Sequence, residues 1–417
     1  MSASENITVA LVGTCDTKLQ ELLRLKRLIV EAGASSVILI DVGSYRVQHE
    51  GIDVSRDKTP GFAAHREAEL MKADRDGCIK IMTECASHYV KSLYEEDRIH
   101  GIISAGGSGG TTLAAPVMRE ALPIGFPKLI VSTIASGDTG PLVGESDVTM
   151  MYPVVDIAGS NALLNRIFSN ASGAIVGMAR AWASSAKEDS KKQKKKVGIT
   201  MFGVTTPCVN IAREVLESKY GCECFIFHAT GHGGRSLERL VDAGQLDAVL
   251  DITTTEVCDH LMGGNMSAGG TRLEAAPKAG IPYVVSVGAT DMVNFGPRAT
   301  VPDKYSNRQL YQHNSMVTLM RTTIEECKIV GDFIAEKLRR FALDQKKVKV
   351  VLPKGGVSMI ATPGAPFAAA EADQATFEAI VSGLQGTDIE VIEKNEAINE
   401  EGFAQGIANT LAAMLSA

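Results

Sequence analysis

Short apolar runs rich in valine and isoleucine recur along the chain, and each ends in a small or polar residue before an amphipathic helical stretch begins. This alternation constrains the fold more than any other feature, because strands that are apolar on both faces suit parallel sheets covered by helices on both sides. It predicts an α/β fold for the first half. The predicted strands there are residues 7–13, 37–42, 101–105 and 129–135, and the predicted helices lie near residues 19–32, 71–93, 112–121 and 158–182.

The alternation is interrupted once, by ten residues without an apolar side chain, KEDSKKQKKK at 187–196, and then restarts. Each half opens with a predicted strand that ends in a glycine, followed by hydroxyl residues and then a predicted helix. This shared opening suggests an internal duplication. We predict two Rossmann-like subdomains, each a mostly parallel sheet flanked by helices, at 1–186 and 197–417, joined by a lysine-rich linker at 187–196. The second half has predicted strands at 197–203, 224–229, 248–253, 283–289, 348–352 and 389–393, and predicted helices near 207–220, 236–243, 317–341, 374–384 and 402–415.

The composition argues against several classes of protein. The 417 residues include 42 lysines and arginines and 49 aspartates and glutamates, a formal net charge of −7, which disfavours a broad polyanion-binding surface. The linker lysines lack the interleaved aromatic residues of a nucleic-acid-binding segment. The longest charge-free stretch, 99–118, contains five glycines and a proline, so we expect no membrane segment. The N-terminus has no basic leader, and the eight cysteines form no CxxC pair, so we expect reduced thiols and a cytoplasmic protein.

Two polar loops at predicted strand ends are candidate sites, because ligands of open α/β sheets bind where the strands end. In GTCDTK, at 13–18, backbone N–H groups at a helix start, two threonines and Lys18 could hold phosphate, and Asp16 could bind Mg²⁺ or cap the helix. In ISAGGSGGTT, at 103–112, four glycines surround Ser108 before a helix. Glycines let the backbone approach an anion closely, and the helix start adds a partial positive charge.

The second of these loops also matches the G-x-S-x-G pattern of a hydrolase nucleophile elbow, with Ser108 as the nucleophile. Against this, the HGG element beginning at His232 follows the serine, whereas hydrolases place their oxyanion loop before it. A serine hydrolase is therefore the alternative function.

Two further loops end strands in the same half, DVGS at 41–44 and STIASGDT at 132–139. Their hydroxyl groups and Asp138 are available to ribose, phosphate or metal. Because strand ends converge at one edge of a sheet, the four loops together predict a single nucleotide pocket.

The second half has its own polar strand ends, FHATGHGGR at 227–235 and DITTTE at 251–256. Histidine and carboxylate side chains there could bind a small anionic substrate or act as acids and bases, with His228, Asp251 and Glu256 as candidate catalytic residues. A zinc site at His228 and His232 is disfavoured, because the intervening glycines oppose the helix that would align them.

Eight motifs spread over nearly the whole chain carry a family resemblance: GTCDTK (13–18), GGSGGT (106–111), STIASG (132–137), MFGVTTPCVN (201–210), FHATGHGGR (227–235), DITTTEV (251–257), SVGATDMVNFGP (286–297) and HNSMVTLMRTT (313–323). They resemble the ATP-binding family typified by the N-terminal inhibitory domain of the tomato mosaic virus resistance protein. The resemblance implies two Rossmann-like subdomains, a homodimer and an ATP site in the first subdomain. The loop residues themselves leave Asp16 and Asp138 as the candidate ligands of Mg²⁺. The implied nucleotide-binding residues are Asp16, Thr17, Lys18, Ser44, Gly107, Ser108, Gly109, Gly110, Thr133, Ser136 and Gly137.

The sequence departs from that family in two places. The family's loop has the form HATGxGG, so His232 occupies the variable position and His228 is the expected functional residue. Plant members continue into a TIM barrel, whereas this sequence stops at Ala417. Whatever the barrel contributes must then come from another protein or be absent, so a separate TIM-barrel protein is a candidate partner. The prediction is an ATP-binding protein with a small-anion site in the second subdomain and no nucleic-acid or membrane partner. Besides the serine hydrolase, a nucleotide-gated interaction module without catalysis is an alternative.

Overall fold

The computed structural model describes residues 6–59, 62, 64–185 and 194–415. The chain divides into two compact units, Met1–Gln193 and Lys194–Ala417, which we call the first and second domain. Most of the predicted linker at 187–196 lies outside the described residues, so its boundaries stay a prediction. Its last residue, Lys196, already belongs to the first strand of the second domain.

The first domain is a parallel five-stranded sheet with the strand order β2-β1-β3-β4-β5. The chain runs outward from β1 to β2 and then crosses to β3 on the other side of β1, so the strand order reverses between β1 and β3. The loops that leave two such strands turn to opposite faces and open a crevice between them. The elements are β1 (Thr8–Gly13), α1 (Cys15–Glu31), β2 (Ser36–Asp41), α2 (Ala64–Leu70), α3 (Arg75–Glu95), β3 (Gly101–Gly106), α4 (Ser108–Ala121), β4 (Lys128–Ser132), α5 (Gly140–Val143), β5 (Thr149–Met151) and α6 (Ala162–Ser185).

Helices cover both faces of this sheet. On one face α1 and α6 pack through buried side chains such as Leu22, Leu25 and Phe168. On the other face α3 and α4 pack through Met82 and Val117. Strands β3 and β4 are buried along their whole length, which explains their mostly apolar sequence.

The second domain repeats this architecture with a parallel six-stranded sheet ordered β14-β13-β9-β8-β6-β7. Counted from the first strand of each domain, both sheets have the order 2-1-3-4-5, and the second adds a sixth strand. The shared order supports the predicted duplication. The elements are β6 (Lys196–Met201), α7 (Thr206–Tyr220), β7 (Glu223–His228), α8 (His232–Asp242), β8 (Ala248–Thr253), α9 (Thr255–Met262), α10 (Ala275–Ala279), β9 (Tyr283–Gly288), β10 (Met292–Phe295), β11 (Leu310–Asn314), β12 (Val317–Arg321), α11 (Ile324–Phe341), β13 (Val348–Pro353), α12 (Ala370–Gly383), β14 (Glu390–Lys394) and α13 (Glu401–Leu415).

The predicted fold class, two α/β domains with mostly parallel sheets, is confirmed. The helix predicted at 317–341 is wrong at its start, because Val317–Arg321 forms a strand that pairs with both β10 and β11 in a small antiparallel sheet. The helix begins at Ile324, where Thr323 and Glu326 form a reciprocal capping box. No described helix combines the length and the apolar character needed to cross a membrane.

Candidate functional site

A cavity of about 300 Å³ opens where the strand order of the first domain reverses, at the carboxyl ends of β1, β2 and β3. We call it the switch-point cavity. Predicted residues from three separate loops meet in its wall, together with side chains of α3 and α4. The wall consists of Thr14, Asp16, Thr17 and Lys18 after β1, Val42 and Ser44 after β2, Gly106, Gly107, Ser108, Gly109 and Gly110 after β3, Arg75, Cys78 and Ile79 of α3, and Leu113 of α4.

The start of α4 offers unpaired backbone donors to this cavity. Gly107 precedes the helix, no side chain caps it, and the first helical bond runs from the Thr111 N–H to the Gly107 carbonyl. The N–H groups of Ser108, Gly109 and Gly110 therefore have no hydrogen-bond acceptor among the described residues. Such groups at a helix start bind anions, because their dipoles add to the partial positive charge of the helix end. We call residues 107–110 the glycine cradle.

The cradle glycines leave space that the protein itself does not fill. A Cβ atom on Gly110 would meet no heavy atom within 4 Å, and one on Gly107 would meet only the Thr133 hydroxyl, at 3.6 Å. Gly106 differs, since a Cβ there would lie 3.3 Å from the Cα of Gly110, so the close approach of strand and helix requires glycine. Packing thus accounts for Gly106 but not for Gly107 or Gly110, where the open space belongs to the cavity.

Two cationic side chains line the cavity, and neither forms a hydrogen bond or ion pair with any described residue. Lys18 lies in the first turns of α1, at a kink with φ −132° and ψ 21°. Arg75 is the first residue of α3, and its Nη2 lies 2.9 Å from the position that a Cβ on Gly109 would take. The Arg75 guanidinium therefore lies over the glycine cradle. Sequence reasoning missed Arg75, because only the tertiary fold brings the start of α3 to a loop some 30 residues further along the chain.

Two carboxylates near the cavity, Asp41 and Asp16, have different roles. Asp41 is fully buried, and its Oδ1 accepts hydrogen bonds from the N–H groups of Cys15 and Gly43 at 3.0 and 2.9 Å. Burial raises the pKa of Asp41. Its Oδ1 ties two loops together, whereas Asp16 lines the cavity, accepts the Tyr45 N–H at 3.0 Å through Oδ2 and keeps a buried Oδ1 without a partner.

The free Asp16 oxygen fits a magnesium ligand. Mg²⁺ in nucleotide sites usually takes one or two carboxylates, completes its shell with phosphate oxygens and water, and needs no cage of protein side chains. The described residues contain no group of three or more His, Cys, Asp or Glu side chains arranged to hold a metal. A single carboxylate beside an anion cradle is therefore the arrangement that a magnesium–phosphate complex would need.

The fourth predicted loop contributes less than expected. Thr133 lies beside the cradle, next to Gly107, but neither it nor Ser136 nor Gly137 belongs to the cavity wall. The Asp138 carboxylate accepts the Gly140 N–H at 3.0 Å and so closes a local turn.

Ser108 is exposed to the cavity without a catalytic partner nearby. The cavity wall contains no histidine among the described residues. Cys15 begins α1, after β1. Burial and the neighbouring Asp41 raise the pKa of its thiol, which keeps the thiol protonated. The described wall of the cavity therefore holds no histidine that could activate Ser108.

In the second domain, Asp251 and Glu256 are fully buried around Arg272. The Arg272 guanidinium contacts both Asp251 oxygens at 2.6 and 2.7 Å, and its Nε contacts Glu256 at 2.9 Å. Tyr283 donates a further hydrogen bond to Asp251 at 2.8 Å. We call these four residues the Arg272 cluster. Its carboxylates are fully buried and paired inside the protein, and they do not belong to the wall of the switch-point cavity.

The loop after β7 packs onto this cluster. Oε1 of Glu256 accepts the N–H groups of Gly231 and Gly234 at 2.7 and 3.0 Å, so a protein carboxylate occupies the anion position at the start of α8. A Cβ on Gly234 would collide with the Glu256 carboxylate, and one on Gly233 would collide with the carbonyl of His228. These glycines are therefore explained by close packing, unlike those of the cradle.

The His228 ring forms no hydrogen bond with either of the two buried carboxylates. His228 is exposed at the end of β7, and its ring packs 5.6 Å from the ring of Phe202. The structure thus does not bring His228, Asp251 and Glu256 together as one reactive set, and a small-anion site in this domain stays a prediction.

The second domain also has a reversal of strand order, between β6 and β8, but its own side chains fill the nearby strand ends. Val204, Met292, Leu319 and Phe367 form a buried cluster there. The Val204 carbonyl accepts the Met359 N–H at 3.0 Å, which fixes the covering loop.

Comparison with known proteins follows the same two-domain division. The model of the N-terminal domain of the Uncharacterised protein family (UPF0261) matches residues 7–184, and the model of its C-terminal domain matches residues 194–415. A UPF0261 protein of Clostridium tetani is 44% identical over 411 residues, which cover 98% of this chain and 99% of the relative. UPF0261 protein mlr3387 of Mesorhizobium japonicum is 42% identical over 402 residues, covering 96% and 97%.

The predicted relationship to the tomato protein is confirmed. The ToMV resistance protein Tm-1(GCR237) of Solanum lycopersicum is 41% identical over 380 residues, which cover 87% of this chain and 50% of the tomato protein. The match therefore spans half the length of that relative. With both domain models matched and full-length relatives above 40% identity, the chain belongs to the UPF0261 family.

Proposed function

We propose that the first domain binds ATP together with Mg²⁺ in the switch-point cavity. The observation that carries this proposal is the set of three unpartnered N–H groups at the start of α4, facing a cavity that two unpaired cations also line. The position agrees with the general rule that open α/β sheets bind ligands where the strand order reverses. The choice of ATP as the nucleotide comes from the family resemblance, which implies an ATP site.

Each part of the cavity suits one part of a magnesium nucleotide. Phosphate oxygens would accept the N–H groups of the glycine cradle and contact Lys18, and the free Asp16 oxygen would be the protein ligand of Mg²⁺. When bound, Mg²⁺ neutralises part of the phosphate charge. An apolar part of the wall offers an uncharged surface to the nucleoside, and it consists of Val42, Cys78, Ile79 and Leu113.

The test is a thermal-unfolding and calorimetric titration of the full chain with Mg-ATP. Ligand at 100 times its dissociation constant stabilises a native protein by about 2.7 kcal/mol, so a clear rise in melting temperature is expected. Lys18→Ala weakens binding, whereas Lys80→Ala, which removes an exposed lysine outside the cavity wall, leaves it unchanged. An unchanged melting curve and no binding heat at millimolar Mg-ATP would overturn the proposal.

Turnover and partners are separate proposals. A nucleotide-gated interaction module requires a partner that is captured only with nucleotide, without ATP hydrolysis. A serine hydrolase requires labelling by a fluorophosphonate probe that Ser108→Ala abolishes. The homodimer, the separate TIM-barrel partner and the cytoplasmic location stay predictions, the first of which light scattering of the purified chain tests directly.

A further inference from the structure

We infer that the edge strand β7 of the second domain binds an extended, basic peptide segment of a partner protein, which pairs with β7 as an added strand. The parallel sheets of the two domains have four edge strands, β2, β5, β7 and β14. An edge strand presents unpaired backbone N–H and C=O groups, so proteins usually shorten, cover or charge such edges. The inference concerns the second domain and goes beyond the proposed nucleotide site.

The edges other than β7 are protected. The outer side of β2 pairs with Val54, and β5 has only three residues. β14 contains Glu390 and Glu393, each of which forms an ion pair with a lysine. β7 has six residues, a central Phe-Ile-Phe sequence, no proline and a register with β6 without a bulge. It is therefore the edge of the two parallel sheets that is best able to accept another strand.

The free backbone groups of β7 belong to alternate residues. Glu223 and Ala229 donate their N–H groups to carbonyls on the β6 side, at 2.9 and 2.7 Å. Because the hydrogen-bonding direction alternates along a strand, the N–H groups of Cys224, Ile226 and His228 point away from β6. An incoming strand can pair with these groups without breaking any hydrogen bond between β7 and β6.

Apolar surface lies on both faces of the sheet beside this edge. Phe225 and Phe227 are half-buried and pack on the core beneath α8, whereas Cys224 packs on the core beneath α7. Ile226 lies on the α7 face with Cys224, and its side chain is 37% exposed. The side chains of an added strand would alternate between the same two faces, so those on the α8 face would extend the apolar surface of Phe225 and Phe227.

A groove of about 550 Å³ runs along α7 on the other face. Burial, and then the nearby Glu217, raises the pKa of the Cys224 thiol to about 12, which places Glu217 beside β7. The residues that line the groove are all polar: Asn210, Arg213, Glu214, Glu217 and Ser218.

The charge of this face selects the partner. The side chains of Arg213, Glu214, Glu217 and Glu223 form no hydrogen bond or ion pair with any described residue. Three free carboxylates against one guanidinium leave an excess of negative charge, which a basic segment would neutralise. Lysine side chains on this face would cover Ile226 with their methylene groups and carry their charge to the glutamates. A second copy of this chain would bring the same excess of carboxylates, so charge disfavours it as the occupant.

The experiment measures binding of a synthetic probe to the full chain by calorimetry. The probe is an acetylated, amidated hexapeptide that alternates valine and lysine. One control peptide has glutamate in place of lysine, and another has N-methyl groups that remove its backbone donors. Each control should bind at least about 10-fold more weakly, because it loses the charge match or several hydrogen bonds. Hydrogen exchange should show new protection in residues 223–228 when the basic peptide is bound.

Two variants test the strand and the groove separately. Ile226→Pro removes an outward N–H group, a change that edge strands tolerate, and should weaken the basic peptide at least about 10-fold. Its matched control is Glu393→Pro in β14, since the neighbouring Lys394 faces β13 and position 393 therefore points outward. Glu217→Lys should also weaken the basic peptide, whereas Glu336→Lys, at an exposed glutamate on α11, should not. Melting temperatures show which variants are folded.

Several results would overturn the inference. They are no binding of the basic peptide at millimolar concentration, equal binding of the acidic peptide, or unchanged affinity in Glu217→Lys and folded Ile226→Pro. Protection that appears at β14 instead of β7 would also contradict it. Light scattering distinguishes the other occupant: a wild-type dimer that Ile226→Pro converts to a monomer would show that a second copy covers this edge.

Discussion

Glycine has two unrelated functions in the glycine-rich motifs of this protein. Gly234 is required because a Cβ there would collide with the buried Glu256 carboxylate. Gly110 has no such neighbour, since a Cβ there would meet nothing within 4 Å. The two motifs, GGSGG and GHGG, look alike in sequence, and only the neighbours of each glycine separate a ligand cradle from a packing contact.

Gly110→Ala should therefore separate binding from stability. Gly110 lies within α4 with no steric barrier to a methyl group, and alanine is about 1 kcal/mol more favourable than glycine in a helix interior. We expect unchanged or slightly higher stability in chemical unfolding, together with a loss of Mg-ATP binding, because the methyl group occupies the cradle.

The matched control is Gly177→Ala in α6, another helical glycine whose Cβ would meet nothing within 4 Å. It should share the gain in stability and keep full binding. Equal ligand affinity in Gly110→Ala and Gly177→Ala would show that the cradle does not contact the ligand.

At the scale of elements, the Arg272 cluster joins the end of one strand to the starts of two helices. Asp251 lies in β8, Glu256 in α9, and Glu256 also holds the start of α8 through Gly231 and Gly234. Each carboxylate oxygen of Asp251 and Glu256 accepts at least one hydrogen bond, so none is left unsatisfied inside the protein. This arrangement gives the acidic residues of the DITTTEV segment a structural role, because they connect a strand to the starts of two helices inside the protein.

Removing the Arg272 side chain should lower the free energy of unfolding of the second domain. Arg272→Ala removes the cation that pairs with two buried carboxylates, and breaking a buried ion pair typically destabilises a protein by about 3–5 kcal/mol. The free energy of unfolding of the second domain, followed by urea denaturation, checks this. Arg272→Lys should recover only part of the loss, because lysine cannot contact both Asp251 and Glu256 as the guanidinium does.

Arg340→Ala is the control for the same experiment, since Arg340 forms an exposed ion pair with Glu336 at 3.8 Å, and such pairs contribute roughly 0–1 kcal/mol. If Arg272→Ala proved no more destabilising than Arg340→Ala, the Arg272 cluster would not be a structural connection. That result would favour a functional role for Asp251 and Glu256.

Element boundaries show where local sequence is sufficient. The capping residues Thr323 and Glu326 mark the start of α11 and are readable from the sequence as a T-x-x-E pattern. The preceding segment, Val317–Arg321, was predicted as helix although it is a strand, because its pairing with β10 and β11 is tertiary. In this segment the capping residues therefore predict the helix start correctly, whereas the apolar residues before them do not reveal a strand of a small antiparallel sheet.

At the scale of the whole molecule, buried carboxylates make stability depend on pH. Burial raises the pKa of Asp259 and of Asp291 to about 7, and that of Asp373 to about 6. Because the folded protein holds these protons more tightly than the unfolded chain does, their contribution to stability is fully present below about pH 4 and is lost as the pH rises through about 7. For these groups alone, the free energy of unfolding decreases between those pH values.

Asp291→Asn tests this dependence. Asparagine keeps a carbonyl oxygen that can accept the Ser358 hydroxyl, which contacts Asp291 at 2.9 Å, but it cannot ionise. We expect the drop in the free energy of unfolding from about pH 5 to about pH 8 to be smaller in the variant than in wild type. Asp332→Asn, at an exposed aspartate on α11, should leave the drop unchanged. A drop of the same size in Asp291→Asn and wild type would contradict the assignment.

The sequence by itself determined the two α/β domains and most of the candidate site, because both depend on local order along the chain. Apolar runs specify the buried strands, and the loops at their ends contain Asp16, Lys18, Ser44 and residues 107–110, which parallel strands bring to one edge of a sheet. Only the tertiary structure decided which polar strand ends stay open: it places Arg75 over the cradle, and it buries Asp251 and Glu256 around Arg272. The physical reason is that an open cavity and a filled one differ in contacts between residues far apart in sequence, and such contacts leave no local pattern.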